Sequence, residues 1–401
     1  MRIAIIGSKG MPARSGGVER HVEELAPRLA KRGFRVTVYT RPWYTGSRKT
    51  SHNGVRLVPI ASVHTMHLDA ITHTFLATLH AMKEKFDIYH YHGVGPSLLA
   101  WLPRLFRPSA KVVVTFHTID RHMHKWGPFA RLVLRCGEWA ATHFAHKTIV
   151  VSKTLAHYVR EVYGCEAAYI PNGVKVPKPT KKDAAILDTF NLNKGRYVIL
   201  VSRLIRSKNA GQLIDAWKRL KASTTDLRVL GMKLVIVGDG EANDPYVWEV
   251  RAKAAGAKDI VLTGARYANE LHALIANAAF AAHPSSFEGL PIAVLEKMAH
   301  GKAVLASNTP EHLEIVEGRG FTFRLDNERD LMLQLYWMIT HPRACAEAGR
   351  NAQKHVASYF NWEKIAKETA MLYTTLASKT AKKGVRKAAY PLSGARRVSV
   401  A

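Results

Sequence analysis

Acidic side chains are scarce in this 401-residue chain: 31 Asp and Glu stand against 59 Lys and Arg, a formal net charge of +28. A field of that sign attracts polyanions, which leaves phosphorylated substrates, anionic membrane surfaces and nucleic acid as partner classes. Cysteine is scarcer still. Cys136, Cys165 and Cys345 are odd in number and far apart, which argues against a disulfide framework or a Cys-rich metal site and fits a reducing cytoplasm. No apolar run reaches the about 20 residues that a membrane-crossing helix needs. The first residues, Met1 to Gly7, read at once as a buried strand and not as a signal peptide. The expectation is a soluble or peripheral protein. Gly-x-Gly-x-x-Gly is absent, so there is no dinucleotide fingerprint. RNA-recognition and zinc-finger signatures are missing too, which leaves the positive charge without a specific nucleic-acid reading.

What is present alternates. Apolar runs at 3–7, 34–39, 55–60, 88–92, 112–116 and 148–151 read as strands, with helical patterns between them. On Val18 to Lys31, for instance, Val22, Leu25, Ala26 and Leu29 share one face. A Pro/Lys-rich connector, Lys175 to Lys182, precedes a second set of strands at 197–202, 233–238, 260–263, 280–283 and 303–307. Two tandem βα series of this kind predict two doubly wound α/β domains, 1–174 and 175–358, facing each other across a cleft. A last helix is expected from Tyr359 to about Ser378. Lys379 to Ala401, which holds seven Lys and Arg and no acid, is expected to be a disordered basic tail.

The most informative segment is Ser285 to Glu296. A strand runs into Phe287-Glu288-Gly289-Leu290-Pro291, and an apolar helix follows that carries Glu296. Gly289 lets backbone approach a ligand, Pro291 suits the first helical position, and the amides at a helix start accept an anion. Carboxylates accept hydrogen bonds from hydroxyl groups, so Glu288 and Glu296 beside an anion site suit a sugar nucleotide. Arg203 and Lys208 follow the first strand of the second series, where a planar guanidinium and a mobile ammonium can converge on a diphosphate. Gly16 and Gly17 sit at the first strand–loop–helix junction with free amides, flanked by Arg14 and Glu19. His117 ends the strand Val112 to Phe116 and points into the interdomain crevice. His64, His67, His73, His80, His90 and His92 have no Cys or carboxylate arrangement that points to a metal site.

The stretch Pro284 to Val304, Glu-Gly-Leu-Pro-x-x-x-Leu-Glu-x-Met-Ala-x-Gly-Lys-Ala-Val, resembles the donor-site signature of the family 4 retaining glycosyltransferases, which belong to the glycosyl transferases group 1 and have the two-domain GT-B fold. Gly16-Gly17-x-Glu19, Thr115-x-His117, Ile170 to Val174, Arg203-x4-Lys208 and Gly238 to Glu241 are similar to further family segments. The segment Gly7 to Glu19 looks like that of bacterial rhamnosyl and polysaccharide-biosynthesis transferases. The resemblance implies a donor site without metal or cofactor, and the absence of Asp-x-Asp agrees with that. Arg203, Lys208 and the amides of Gly289 and Leu290 would take the diphosphate, Glu296 the ribose, and Glu288 and His117 the transferred sugar. Gly16 and Gly17 would lie beside donor phosphate and acceptor. It also implies a C-terminal helix that crosses back onto the first domain.

The function expected is retaining transfer of a sugar from a nucleoside diphosphate sugar to a glycan or lipid-linked acceptor in cell-surface polysaccharide or glycolipid synthesis. Mixed aromatic and basic stretches, Trp101 to Arg107 and Trp126 to Arg135, fit helices on an anionic membrane, which would place the protein at the inner face of the plasma membrane. Two alternatives remain open at this point. One is a GT-B sugar-nucleotide 2-epimerase, which would release an epimer without any acceptor. The other is a non-enzymatic polyanion-binding protein.

Overall fold

The computed structural model describes residues 1–14, 16–46, 49–65, 68–123, 126–176 and 185–387, the last nine as backbone alone. Most of the connector Lys175 to Lys182, Ser15, His67 and the tail beyond Lys387 lie outside these residues. Eight strands form the first sheet: β1 (Arg2–Ile6), β2 (Arg35–Thr40), β3 (Ser51–His52), β4 (Val55–Pro59), β5 (Ile88–His92), β6 (Lys111–Phe116), β7 (Lys147–Val150) and β8 (Ala168–Tyr169). Their order is β3-β4-β2-β1-β5-β6-β7-β8, parallel except for the β3–β4 hairpin. The second sheet holds β9 (Tyr197–Val201), β10 (Lys233–Val237), β11 (Ile260–Gly264), β12 (Phe280–His283), β13 (Val304–Ser307) and β14 (Phe321–Phe323). It is wholly parallel, in the order β11-β10-β9-β12-β13-β14. Helices cover both faces, so the strands read as nearly continuous apolar runs; Ile3 to Ile6 and Tyr197 to Leu200 are fully buried.

Both sheets are doubly wound. Such a sheet has a switch point, where consecutive crossovers leave in opposite directions and a crevice opens at the carboxyl ends of two neighbouring strands. In the second sheet that point is the β9–β12 pair, and in the first it is β1–β5. The residues singled out from the sequence cluster at these ends. Arg203 and Lys208 follow β9, Glu288 and Gly289 follow β12, Gly16 and Gly17 follow β1, and His117 follows β6.

The C-terminal helix crosses back onto the first sheet, as the family resemblance implies. Trp362, Ile365, Ala366 and Tyr373 enter the same core as Ile3, Ile5, Val22, Leu25 and Leu29. Arg28 and Arg32 both pair with Glu363, and Val174 forms an isolated bridge with Asn361. Three details differ from the sequence expectation. Tyr359 closes the preceding helix, Pro342–Tyr359, and the crossover helix runs Trp362–Lys387. Asn361 sets that start, because its side-chain oxygen accepts from the Glu363 amide at 2.7 Å. Residues 379–387, expected to be disordered, continue the helix; Ala, Lys and Arg are strong helix formers that extend a turn already nucleated by packing. Finally, Pro291 occupies the N-cap and not the first helical position of Ile292–Ala299.

Candidate active site

At the β9–β12 crevice the two loops are tied together by backbone. The Ser286 amide donates to Ser207 O at 2.9 Å, and Asn209 Nδ2 donates to Pro284 O at 3.0 Å. This brings Lys208 against Glu288, whose Oε1 accepts from the ammonium. The same oxygen accepts from His283 Nε2 at 3.0 Å. Burial works against a charge on Glu288, but Lys208 and His283 outweigh it and hold the carboxyl well below its ordinary value. A carboxylate cannot donate, so His283 Nε2 must carry the proton and Nδ1 must accept. What it accepts from is Lys297 Nζ, 3.2 Å away and with no solvent exposure. Burial pulls the Lys297 ammonium down to about 7. The chain Lys297–His283–Glu288–Lys208 thus fixes the carboxylate from behind and in front.

Arg203 lies on the same loop, exposed, and no hydrogen bond or ion pair holds its side chain among the described residues. Gly289 presses on the opposite domain: a Cβ there would sit 1.7 Å from His117 O. Beside it, Asn172 Nδ2 donates to Leu290 O at 3.2 Å. The Glu-Gly-Leu-Pro turn is therefore seated against the first sheet, with only glycine able to approach so closely.

Glu296 lines a cavity of about 730 Å³ between the two sheets, with Arg14 and Arg20 on one side and Tyr267, His272 and His300 on the other. Burial raises its carboxyl, partly offset by Arg20. Gly17 faces Ile292, in the first turn of the helix that carries Glu296. Glu19 turns inward instead, accepting from the Lys9 amide at 3.1 Å and packing on Gly16, so it shapes the loop and does not line the cavity.

His117 is buried at the end of β6, its Nε2 3.1 Å from His92 Nδ1 and its ring in edge contact with His21. Burial first, then His21, keeps its imidazole well below the usual range. The structure thus gathers Lys208, Glu288, Gly289, Leu290 and His117 at one junction, and Glu296 with Arg14 and Gly17 at the next. Sequence reasoning missed His21, His92, His283 and Lys297. Lys297 did carry a signal, as a cation in the helix Ile292–Ala299, where Glu296 is the one other charged residue.

Two parallel doubly wound sheets, a cleft between their switch points and a C-terminal helix returning to the first sheet define the GT-B fold. Residues 15–177 match the family model described as Glycosyltransferase Family 4, and residues 184–355 match Glycosyl transferases group 1. The chain belongs to this family of glycosyltransferases. It is 26% identical to a glycogen synthase of Mycobacterium tuberculosis, over 93% of this chain and 94% of that protein. It is 25% identical to a phosphatidyl-myo-inositol mannosyltransferase of Mycolicibacterium smegmatis, over 90% of each. The structure of Anabaena HepE in complex with UDP-glucose superposes with a TM-score of 0.76 at 19% identity, covering 94% of this chain and all of that one. Among the described residues, no helix is long and apolar enough to cross a membrane.

Proposed function

We propose that this glycosyltransferase retains the anomeric configuration as it moves a hexose-type sugar from a nucleoside diphosphate to an acceptor hydroxyl. The observation that carries this reading is the loop junction where Lys208 meets Glu288 beside the unpaired Arg203. A diphosphate entering there meets both cations and the amides of Gly289 and Leu290. Two positive side chains stabilise the departing charge, which leaves no role for a metal ion in the transfer. Glu288, already deprotonated and oriented through His283, accepts from sugar hydroxyls, and His117 contacts the sugar from the other domain. Glu296 takes the ribose hydroxyls, and the Gly16–Gly17 amides border donor and acceptor. No side chain acts as nucleophile. The leaving phosphate takes the acceptor proton on the face from which it departs.

Contacts that span the cleft hold the two domains together. Besides Gly289 on His117 and Asn172 on Leu290, the Lys153 amide and Tyr169 OH both donate to Glu314, at 2.8 and 3.0 Å. A closed site limits hydrolysis of the donor. The acceptor is a glycan or a lipid-linked sugar of cell-surface synthesis, reached at the inner face of a membrane. Leu105, Phe106, Phe129 and Leu132 are each more than half exposed on the first domain, with Arg131 and Arg135 exposed alongside the last two. Apolar and cationic side chains presented together suit an anionic lipid surface. A thermal-shift panel of nucleoside diphosphates and their sugars tests the core of the reading: one nucleotide series should raise the melting midpoint, and no shift from any would remove the donor site.

A further inference from the structure

We propose that His21, His92 and His117 form a binding site for one zinc-class divalent cation, held by three imidazole nitrogens. Their donor atoms lie within 4.8 Å of one another, and all three side chains are buried. A tetrahedral zinc site with metal–nitrogen bonds of about 2.0–2.1 Å places ligand nitrogens about 3.3 Å apart and ring centres about 5.2 Å apart. His92 Nδ1 and His117 Nε2 are 3.1 Å apart. The ring centres of the three pairs are 5.4, 4.9 and 5.4 Å apart. The rings therefore stand in the triangle that such a site requires.

At His21 the hydrogen bonding leaves a lone pair free. Asn172 Nδ2 donates to the Leu290 carbonyl, so Asn172 Oδ1 is the atom 2.9 Å from His21 Nδ1. That oxygen only accepts. His21 Nδ1 must then carry the proton, and Nε2 keeps its lone pair, the arrangement by which an outer partner orients a metal-bound histidine. His92 Nδ1 and His117 Nε2 share one hydrogen bond, whose proton a bound cation displaces, while His92 Nε2 on the far side of that ring is buried with no partner. His90 marks the contrast. Its ring is 4.1 Å from that of His92, but both of its nitrogens are taken, by Tyr373 OH and Thr115 Oγ1. The three ligands come from the first helix and the ends of β5 and β6, rigid elements that hold a coordination geometry without a loop closing. A second convergent group, His283, Glu288 and His312, is committed to the donor site through Lys208 and Lys297.

Zinc and the transferred sugar would compete for His117, a consequence that rests on the proposed donor reading. The test is direct metal binding by the full chain, stripped with chelator and titrated with ZnCl2 against a chromophoric competitor. One equivalent should bind, at least tenfold more tightly than in His21→Gln and His92→Gln, and cobalt(II) should give a tetrahedral absorption that both variants lose. X-ray absorption on the zinc-loaded wild type should report three imidazoles, which keeps the test decisive if a variant misfolds. No stoichiometric zinc, fewer than three imidazoles, or equal affinity in folded variants would overturn the site while leaving the donor reading standing. If zinc binds as expected but nucleotide sugar does not weaken it, the metal site holds and His117 leaves the donor site.

Discussion

At the scale of the residue, the donor junction is an exercise in keeping one carboxylate charged in a mostly buried place. Glu288 needs the Lys208 charge in front and the His283 hydrogen bond behind, and removing Lys208 leaves the carboxylate buried and uncompensated. Glu288→Ala and Lys208→Ala should each lower turnover by more than tenfold, or about 1.4 kcal/mol in barrier, at saturating donor; wild-type rates from both would dismantle the assignment. Lys297 touches neither donor nor acceptor in this reading. Lys297→Met removes the hydrogen bond donated to His283 Nδ1, worth about 1 kcal/mol, and should cost roughly fivefold in kcat with the fold retained. Steady-state kinetics checks this, and an unchanged kcat would show that Glu288 is oriented without it. The sequence named Glu288 and Lys208 from their motif positions. It could not pair them, because residues 208 and 288 meet only once β9 and β12 lie side by side.

At the scale of the element, the crossover helix Trp362–Lys387 belongs to the first domain's core although it ends the described chain. Its Trp362 ring lies against Gly173, where a Cβ would be 2.6 Å away, and against His21. Trp362→Ala opens a cavity at that hinge and should destabilise by about 3–5 kcal/mol, read as a lowered denaturant midpoint; a loss under 1 kcal/mol would mean that the helix is only loosely docked. Strands of continuous apolar residues were legible from the sequence because both faces of a parallel strand are buried. The two-residue strands β3 and β8 and the three-residue β14 were not. Runs so short carry no periodicity, and neighbouring strands alone recruit them. The helical continuation past Ser378 was hidden for a related reason: a Lys-rich segment looks unstructured by composition until a packed helix precedes it.

At the scale of the whole molecule, two features belong to no single site. The first is a set of buried neutral histidines. Burial pulls His21, His73 and His312 to about 4, with Arg41 assisting at His73, and His90 to about 3, aided by His21. The unfolded chain takes up a proton at each near pH 6.5, while the folded chain takes none until far lower. Stability is therefore whole above about pH 6.5 and lost as pH falls toward 4, at up to about 1.4 kcal/mol per unit for each histidine. Unfolding midpoints in metal-free buffer should drop steeply between pH 6.5 and 5, and a flat profile would contradict the burial. The second is the net charge of +28. Deleting Lys379 to Ala401, rich in Lys and Arg and free of acid, should weaken binding to anionic vesicles while transfer to a soluble acceptor continues; unchanged vesicle affinity would take the tail out of any membrane role.

The sequence by itself determined the class of fold and the motif residues, since alternating apolar runs and a Glu-Gly-Leu-Pro turn are local patterns that need no partner to be read. Tertiary structure decided which of those residues share a pocket. It joined Lys208 to Glu288 across a parallel sheet, turned Glu19 into its own loop, and gathered His21, His92 and His117 from three elements into one buried triangle. Contacts of that kind depend on strand order and domain closure, and no spacing along the chain encodes them.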